Sequence, residues 1–175
     1  MPKNQRLADH IQPGVEVLFV GINPGLRSAE VGHHFAGYSN RFWKLLYQSH
    51  LVPHRFTYQD DWRLPDCGLG LTNIISRPTT GINTLRPSEY ALGKRRLLAI
   101  VARYRPAIVA LLGVTIYRAL FPESCHRQVR LGLQQQCLGR ARIYVLPNPS
   151  GRNAHYPYQR MLTAFRRLRK EARSQ

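Results

Sequence analysis

The chain has 175 residues, of which 43% are hydrophobic and 20% are charged, the composition of an ordinary folded protein. Its 26 Lys and Arg residues outnumber its 9 Asp and Glu residues, which gives a formal net charge of +17. Because 22 of the 26 are Arg, a side chain suited to phosphate contacts, nucleic acid is the favoured partner. An anionic membrane surface is the second candidate, and a bias in genome base content is an alternative source of part of the excess.

Three cysteines, Cys67, Cys125 and Cys137, form no C-x-x-C pair, which argues against a disulfide framework, a zinc site or an iron–sulfur cluster. No apolar stretch approaches the roughly 20 residues that span a bilayer. Residues 1–14 also lack the apolar core of a secretory signal. We therefore expect a cytoplasmic protein without a membrane partner. Residues 1–175 are expected to form one domain, with 1–14 and 171–175 as peripheral tails.

The first half of the chain predicts two strands and two helices. Residues 15–22 are almost wholly apolar, which predicts a strand buried on both faces. A helix is predicted from about residue 39 to 47, followed by a loop with a short helix over 51–66 and a second strand over 69–75. Ser88 is the predicted N-cap of a longer helix that stops at Pro106.

The second half continues this alternation. Residues 107–112 form the next predicted strand, closed by Gly113 and followed by a helix to about residue 121. A strand over 142–146 precedes a final helix from Tyr158, in which apolar residues recur at helical spacing. Alternating strands and helices predict an α/β fold, a single-domain three-layer α/β/α sandwich with a short, mostly parallel central sheet.

Two of the predicted strands end in loops that contain Asn-Pro, GINPG at 21–25 and PNPSG at 147–151. Functional groups gather beyond the carboxyl ends of the strands in such sheets, so the two loops are expected to face one cleft. Glycines such as Gly21 and Gly25 let the backbone approach a ligand closely. Arg152 and Asn153 suit contacts to phosphate or to a duplex. A plain strand-ending turn is the alternative interpretation of each loop.

Several familiar catalytic motifs are excluded by spacing. GINPG is not G-x-G-x-x-G, no P-loop Lys-Ser/Thr follows it, and the chain contains no G-x-S-x-G. The acidic residues are few and scattered, which argues against paired carboxylates or a two-metal nuclease. Asp60 and Asp61 are predicted to cap a loop or a helix, and His33 and His34 to lie at the surface or in a pocket. We therefore predict neither a metal nor a cofactor.

Four segments together resemble one known family: GINPGLRSAEVGHHFAGYSNRFWKLL at 21–46, TNIISRPT at 72–79, LLG at 111–113 and VLPNPSG at 145–151. They resemble the mismatch-specific uracil/thymine DNA glycosylases of the uracil-DNA glycosylase superfamily, and the similarity runs from about residue 15 to 170. The order and spacing of the segments in 21–46 make the match specific. The family fold is a parallel sheet flanked by helices, which agrees with the elements predicted above.

The resemblance implies that Asn23 is the catalytic residue. In the family, this asparagine positions the water that attacks the deoxyribose C1′ as the base departs. An amide has no useful pKa, so catalysis would depend on positioning and on donors that stabilise the leaving base as an anion. We therefore expect a slow enzyme compared with relatives that carry an aspartate near this position.

The resemblance also implies a pocket for a flipped base. Phe35 matches the stacking aromatic of the family, with a purely structural core role as the alternative. Backbone groups of Ile22 and Phe35 would contact the base edge, and His34 and Asn73 align with side chains that contact the base in some members. Bacterial relatives can carry Lys in place of Asn73, which leaves its role open. Ser28 lies near the place of the thymine 5-methyl group, so uracil is expected to be removed better than thymine.

The second motif implies a loop that enters the duplex. Arg152 occupies the place of the wedge that fills the space left by the flipped nucleotide, and it could also bond the unpaired guanine. The residues implied in DNA contact are Asn148, Pro149, Ser150, Gly151, Arg152 and Asn153. The partner would be double-stranded DNA with a mismatched or damaged base, and the protein is expected to be a monomer.

The function implied is that of a monofunctional DNA glycosylase, which flips uracil, and thymine more weakly, out of G·U and G·T mismatches. It would hydrolyse the N-glycosidic bond and so initiate base excision repair. One alternative is a non-catalytic DNA-binding module of the same fold. Another is a glycosylase of the same superfamily that prefers other lesions, such as hypoxanthine or ethenocytosine.

Overall fold

A computed structural model describes residues 6–124 and 128–174, and these contain one five-stranded sheet. The strands are β1 (Val17–Gly21), β2 (Leu69–Asn73), β3 (Ile108–Leu112), β4 (Gly132–Leu138) and β5 (Ala141–Leu146). Their order in the sheet is β2-β1-β3-β5-β4. β1, β2, β3 and β5 are parallel, and β4 runs antiparallel to β5. The predicted α/β fold with a mostly parallel central sheet is confirmed.

Helices cover both faces of the sheet. They are α1 (Leu26–Val31), α2 (Phe42–Gln48), α3 (Pro87–Tyr104), α4 (Val114–Leu120) and α5 (Tyr158–Arg173). A long 3₁₀ helix spans Tyr58–Cys67, and short ones span Ile82–Thr84 and Pro122–Ser124. Of the helices in the described part of the chain, none is long and apolar enough to cross a membrane.

The alternation of side chains along β1 explains the two hydrophobic layers. Val17 and Phe19 pack against α2, α5 and the 3₁₀ helix Tyr58–Cys67, whereas Leu18 and Val20 pack against α3 and α4. All four side chains are 0% exposed. Each large apolar side chain buried in this way contributes roughly 1.5–3 kcal/mol. This burial on both faces is the physical basis of the apolar runs in the parallel strands.

One strand and one α-helix of the described residues were not predicted from the sequence, β4 and α1. β4 reads GLQQQCL, and its residues alternate between half-buried and exposed because it is an edge strand. α1 has only six residues and follows GINPG directly, with Gly25 as its N-cap. The prediction of Ser88 as the N-cap of α3 is wrong by two residues, since Arg86 holds that position and Pro87 begins the helix.

The segment 6–14, expected to be a peripheral tail, packs against β2. His10 and Leu71 exchange backbone hydrogen bonds of 3.0 and 2.7 Å. The Asp9 carboxylate accepts a hydrogen bond from Thr72 Oγ1 at 2.6 Å and pairs with Arg96. At the other end of the chain, α5 continues to residue 173. Because this pairing is antiparallel, residues 8–10 lie close to the carboxyl end of β2, where the predicted functional residues gather.

Gly93→Ala tests how closely α3 packs on the segment after β2. A Cβ at Gly93 would overlap the carbonyl oxygen of Ile74. Alanine in a helix interior ordinarily stabilises by about 0.5–1 kcal/mol relative to glycine, but overpacking here should instead lower the free energy of unfolding by about 1–3 kcal/mol. Urea denaturation measures the change, with Leu92→Ala, at an exposed neighbouring position, as the control. A Gly93→Ala protein as stable as wild type would contradict this packing.

Candidate active site

A cavity of about 870 Å³ opens at the carboxyl ends of the parallel strands. The loops that follow β1, β2, β3 and β5 all contribute to its lining. Of the residues predicted from the sequence, thirteen line it: Gly21, Ile22, Asn23, Gly25, Ser28, His34, Phe35, Asn73, Asn148, Ser150, Gly151, Arg152 and Asn153. Pro149 does not line the cavity; it is buried, and its carbonyl accepts a hydrogen bond from Arg41 N.

The side-chain amide of Asn23 is held in one orientation. Its Nδ2 donates to the carbonyl of Arg77 at 3.0 Å and to Oγ1 of Thr79 at 2.8 Å. A carbonyl can only accept, and the Thr79 hydroxyl already donates to the carbonyl of Gly81 at 2.8 Å. Nitrogen must therefore face these two groups. Oδ1 accepts no hydrogen bond from the described residues, which leaves an acceptor available at the end of β1.

Thr79 and Arg77 were not singled out by the sequence analysis, although both lie in the TNIISRPT segment. Backbone pairing brings them to Asn23, because Thr79 N donates to the carbonyl of Pro24 at 3.1 Å and Gly25 forms a bridge with Thr79. Ile75 N donates to the carbonyl of Ile22 at 2.9 Å in the same way. The loop after β2 therefore supports the loop after β1 along its length.

Phe35 is fixed in a strained backbone conformation at the cavity wall. Its φ of 53° lies in the left-handed region, which costs a non-glycine residue free energy. The ring packs on that of Phe42 with centroids 4.3 Å apart and remains half-buried. The neighbouring Ala36 N donates to Ser28 Oγ at 3.0 Å, which helps to hold the turn. One face of the Phe35 ring thus rests on the core while the residue lines the cavity.

Asn73 is oriented by His34. His34 Nε2 lies 2.8 Å from the carbonyl of Ala8, an acceptor, so Nε2 carries the proton and Nδ1 is the acceptor. Asn73 Nδ2 lies 3.4 Å from that Nδ1. Burial lowers the pKa of His34, which favours the neutral ring that this arrangement requires.

The other end of the Asn73 amide faces β1. A Cβ at Gly21 would overlap Asn73 Oδ1, and it would lie 3.3 Å from Cζ of Phe35. Only glycine therefore fits at position 21. Gly25 differs, since a Cβ there would meet nothing within 4 Å. Asn73 thus presents its oxygen between Gly21 and Phe35, at the back of the cavity.

Asp61 has a role that its sequence context did not indicate. Its neighbour Asp60 does cap the 3₁₀ helix, accepting a hydrogen bond from Thr57 N at 2.9 Å. Asp61 is 1% exposed and accepts hydrogen bonds from His33 Nδ1 at 3.0 Å and from His34 N at 2.8 Å. Burial by itself would raise the pKa of Asp61, but hydrogen bonds from His10, His33 and the His34 backbone outweigh it and hold that pKa at about 2.

The loop after β5 is stabilised by its own hydrogen bonds and by Arg41. Ser150 N donates to Asn148 Oδ1 at 2.9 Å, and Asn153 Nδ2 donates to the Asn148 carbonyl at 2.9 Å. Arg41 Nη2 donates to the carbonyls of Ser150 and Asn153, both at 3.1 Å. A Cβ at Gly151 would overlap Ser39. These contacts hold the loop in one conformation against the segment before α2.

Arg152 projects from this loop across the mouth of the cavity. Its side chain is exposed, and Nη1 donates to the carbonyl of Thr80 at 2.7 Å. The contact connects the loop after β5 with the loop after β2. Among the described residues, this is the one hydrogen bond of the Arg152 guanidinium, so the guanidinium can leave that carbonyl without disturbing the rest of its loop.

Among the described residues, neither a metal site nor a second cavity coincides with this site. Within residues 6–124 and 128–174, no group of three or more His, Cys, Asp or Glu side chains could hold a metal ion. A second cavity, of about 890 Å³, lies between β4 and α5, but it contains none of the motif residues predicted from the sequence. Cys67 and Cys137 are free thiols, and Cys125 lies outside the described residues.

The site is thus a cavity lined by oriented amides and an aromatic ring at the carboxyl edge of a doubly wound sheet. The family model of the uracil DNA glycosylase superfamily matches residues 8–171, so the chain belongs to that superfamily. Membership supports a DNA glycosylase activity. The solution NMR structure of a proposed uracil DNA glycosylase from Methanosarcina acetivorans is similar, with a TM-score of 0.64. The match covers 95% of this chain and 99% of that chain at 17% identity, which shows a shared fold.

Asp61→Asn tests the buried carboxylate beneath the cavity. The pKa of Asp61 in the folded state, about 2, lies below its ordinary value of 3.8. Asp61 therefore stabilises the folded state above about pH 4, and this stabilisation is lost as the pH falls towards 2. At pH 7 the variant should lose about 2 kcal/mol of unfolding free energy, and its deficit should shrink below pH 4. Urea denaturation across this range measures both effects. Asp60→Asn is the matched control, since the asparagine oxygen can still accept the hydrogen bond from Thr57 N. Equal stability of the two variants at pH 7 would contradict the conclusion that ionised Asp61 stabilises the folded state.

Proposed function

We propose that the protein is a monofunctional DNA glycosylase that removes uracil from G·U mismatches, and thymine from G·T mismatches more weakly. The observation that carries the proposal is the fixed amide of Asn23. With Nδ2 held by Arg77 and Thr79, Oδ1 is available to accept a hydrogen bond from a water molecule. Superfamily membership and the convergence of the motif residues on one cavity support the same function.

The reaction is hydrolysis of the bond between the base and C1′ of the deoxyribose. The oxygen of the water forms a bond to C1′, and the C1′–N1 bond breaks with both electrons passing to the base. Asn23 cannot take the proton, which goes to solvent, so Asn23 contributes by orientation. The departing uracil is stabilised as an anion by fixed donors in the cavity and then takes a proton from solvent.

Asn73 and Phe35 provide the means of reading the base. A flipped base stacks on the half-buried ring of Phe35. Asn73 Oδ1 then accepts from N3–H of uracil, whereas cytosine has an unprotonated N3 and would leave this oxygen unpaired. Leaving a buried acceptor unpaired costs roughly 1–3 kcal/mol, so cytosine is rejected. Ser28, 5% exposed at the cavity wall, limits the room beside C5 and disfavours thymine.

Arg152 acts as the wedge in this proposal. It exchanges its contact with Thr80 for the space that the flipped nucleotide leaves in the duplex. A guanidinium can also donate two hydrogen bonds to guanine, the base left unpaired at a G·U site. Flipping is least costly at a mismatch, which adds to the preference. The net charge of +17 supplies contacts to the DNA backbone that weaken as salt is raised.

Asn23→Ala tests the proposed function directly. Labelled duplexes with a single G·U, A·U, G·T or G·hypoxanthine pair are incubated in EDTA and then treated with alkali, which cleaves abasic sites. Wild type should cleave the G·U duplex best, and Asn23→Ala should lose at least about 100-fold in single-turnover rate, in the range expected when a positioning group is removed. Hypoxanthine is included because its N1–H could also donate to Asn73.

Gln135→Ala, at an exposed amide on β4, is the control and should match wild type. If the protein binds every duplex and cleaves none, the enzymatic proposal is contradicted and the non-catalytic DNA-binding module is favoured. Cleavage of the hypoxanthine duplex alone would favour the alternative lesion preference. Equal cleavage by wild type and Asn23→Ala would remove Asn23 from the mechanism.

A further inference from the structure

Tyr38 is an exposed aromatic residue at the rim of the candidate active site. It is 89% exposed, more than any other large hydrophobic residue in the described part of the chain. Its neighbours Gly37 and Ser39 both line the cavity. Single exposed apolar residues are common on protein surfaces, so exposure alone assigns no role. The contacts of Tyr38 distinguish it from such a residue.

Arg27 fixes the ring of Tyr38 from one side. Its guanidinium carbon lies 3.8 Å from the centroid of the Tyr38 ring, a close cation–π contact. Arg27 Nε donates to the carbonyl of Ala36 at 2.9 Å, which anchors the guanidinium to the same loop. One face of the ring is thus covered, and the high exposure shows that the other face is open. The pair presents a flat, oriented aromatic surface to solvent.

This surface adjoins the loop proposed to enter the duplex. Ser39, next to Tyr38, abuts Gly151, and Arg41 donates to Pro149 and Ser150 through its backbone and side chain. The loop that carries Tyr38 and the loop that carries Arg152 are therefore joined. A duplex positioned with its flipped nucleotide in the cavity and Arg152 in its stack would bring adjoining nucleotides to Tyr38.

We propose that Tyr38, backed by Arg27, is a stacking platform for a nucleobase adjacent to the flipped nucleotide. The proposal deepens the proposed function and rests on it for the position of the DNA. Flipping removes a base from the stack, so its neighbours lose a stacking partner, and an aromatic ring can replace it. Every base has a π face, so the platform would be tolerant of sequence. The cation behind the ring also favours the nearby phosphates.

Fluorescence of 2-aminopurine tests the platform without any need for catalysis. Duplexes carry 2′-fluoro-2′-deoxyuridine, whose glycosidic bond resists cleavage, opposite guanine, with 2-aminopurine at one adjoining position on either strand in turn. Flipping alone should raise the fluorescence of 2-aminopurine beside the gap, and stacking on Tyr38 should quench it at one position. Tyr38→Ala should abolish this quenching and weaken binding about tenfold, within the range for loss of one base–aromatic stack.

Tyr38→Phe should retain both quenching and affinity, because the ring is kept. Tyr47→Ala, which removes a 41% exposed tyrosine of α2 that does not line the cavity, should behave as wild type. Tyr38→Ala indistinguishable from wild type at every position would overturn the platform. If quenching depends on Tyr38 but the protein releases no base from any duplex, the stacking platform is supported and the proposed glycosylase function is contradicted.

Discussion

The proposed chemistry depends on the hydrogen bonds that hold the amide of Asn23. Nδ2 faces a carbonyl and a hydroxyl that is itself committed to another carbonyl, so the amide cannot turn over without losing both contacts. A side chain without a useful pKa can serve hydrolysis only by orienting water, and orientation requires that it be held still. The loop after β2, which carries Arg77 and Thr79, is therefore as important to the site as the loop that carries Asn23.

Groups behind the cavity hold the amide of Asn73 in the same way. Asn73 presents its oxygen because Nδ1 of His34 accepts from its nitrogen, and the lowered pKa of His34 favours the neutral ring that this requires. His34 in turn is held by the carbonyl of Ala8 and, through its backbone N–H, by Asp61. Glycine at position 21 leaves room for the oxygen of Asn73. Under the proposed function, specificity for a base that carries a ring N–H would thus depend on groups that do not touch the base.

Much of the fold could be predicted because the parallel strands are buried on both faces and therefore have apolar sequences almost throughout. β4 escaped prediction because an edge strand has a polar, half-exposed sequence. The motif residues were expected to meet at the carboxyl edge of the sheet, and all of them except Pro149 line one cavity there. Thr79, Asp61 and Arg41 were missed, since their partners lie 56, 27 and 109 residues away and no local spacing reveals such contacts.

The central claim, that the orientation of Asn23 limits the reaction, is tested most directly by Thr79→Val and Thr79→Ser in single-turnover release of uracil from a G·U duplex. Valine keeps the shape of Thr79 but accepts no hydrogen bond, whereas serine keeps the hydroxyl. We expect Thr79→Val to lower the rate about tenfold, the effect of one hydrogen bond, and to leave the affinity for DNA unchanged. Thr79→Ser should stay near the wild-type rate. Equal rates for wild type and Thr79→Val would contradict the central claim.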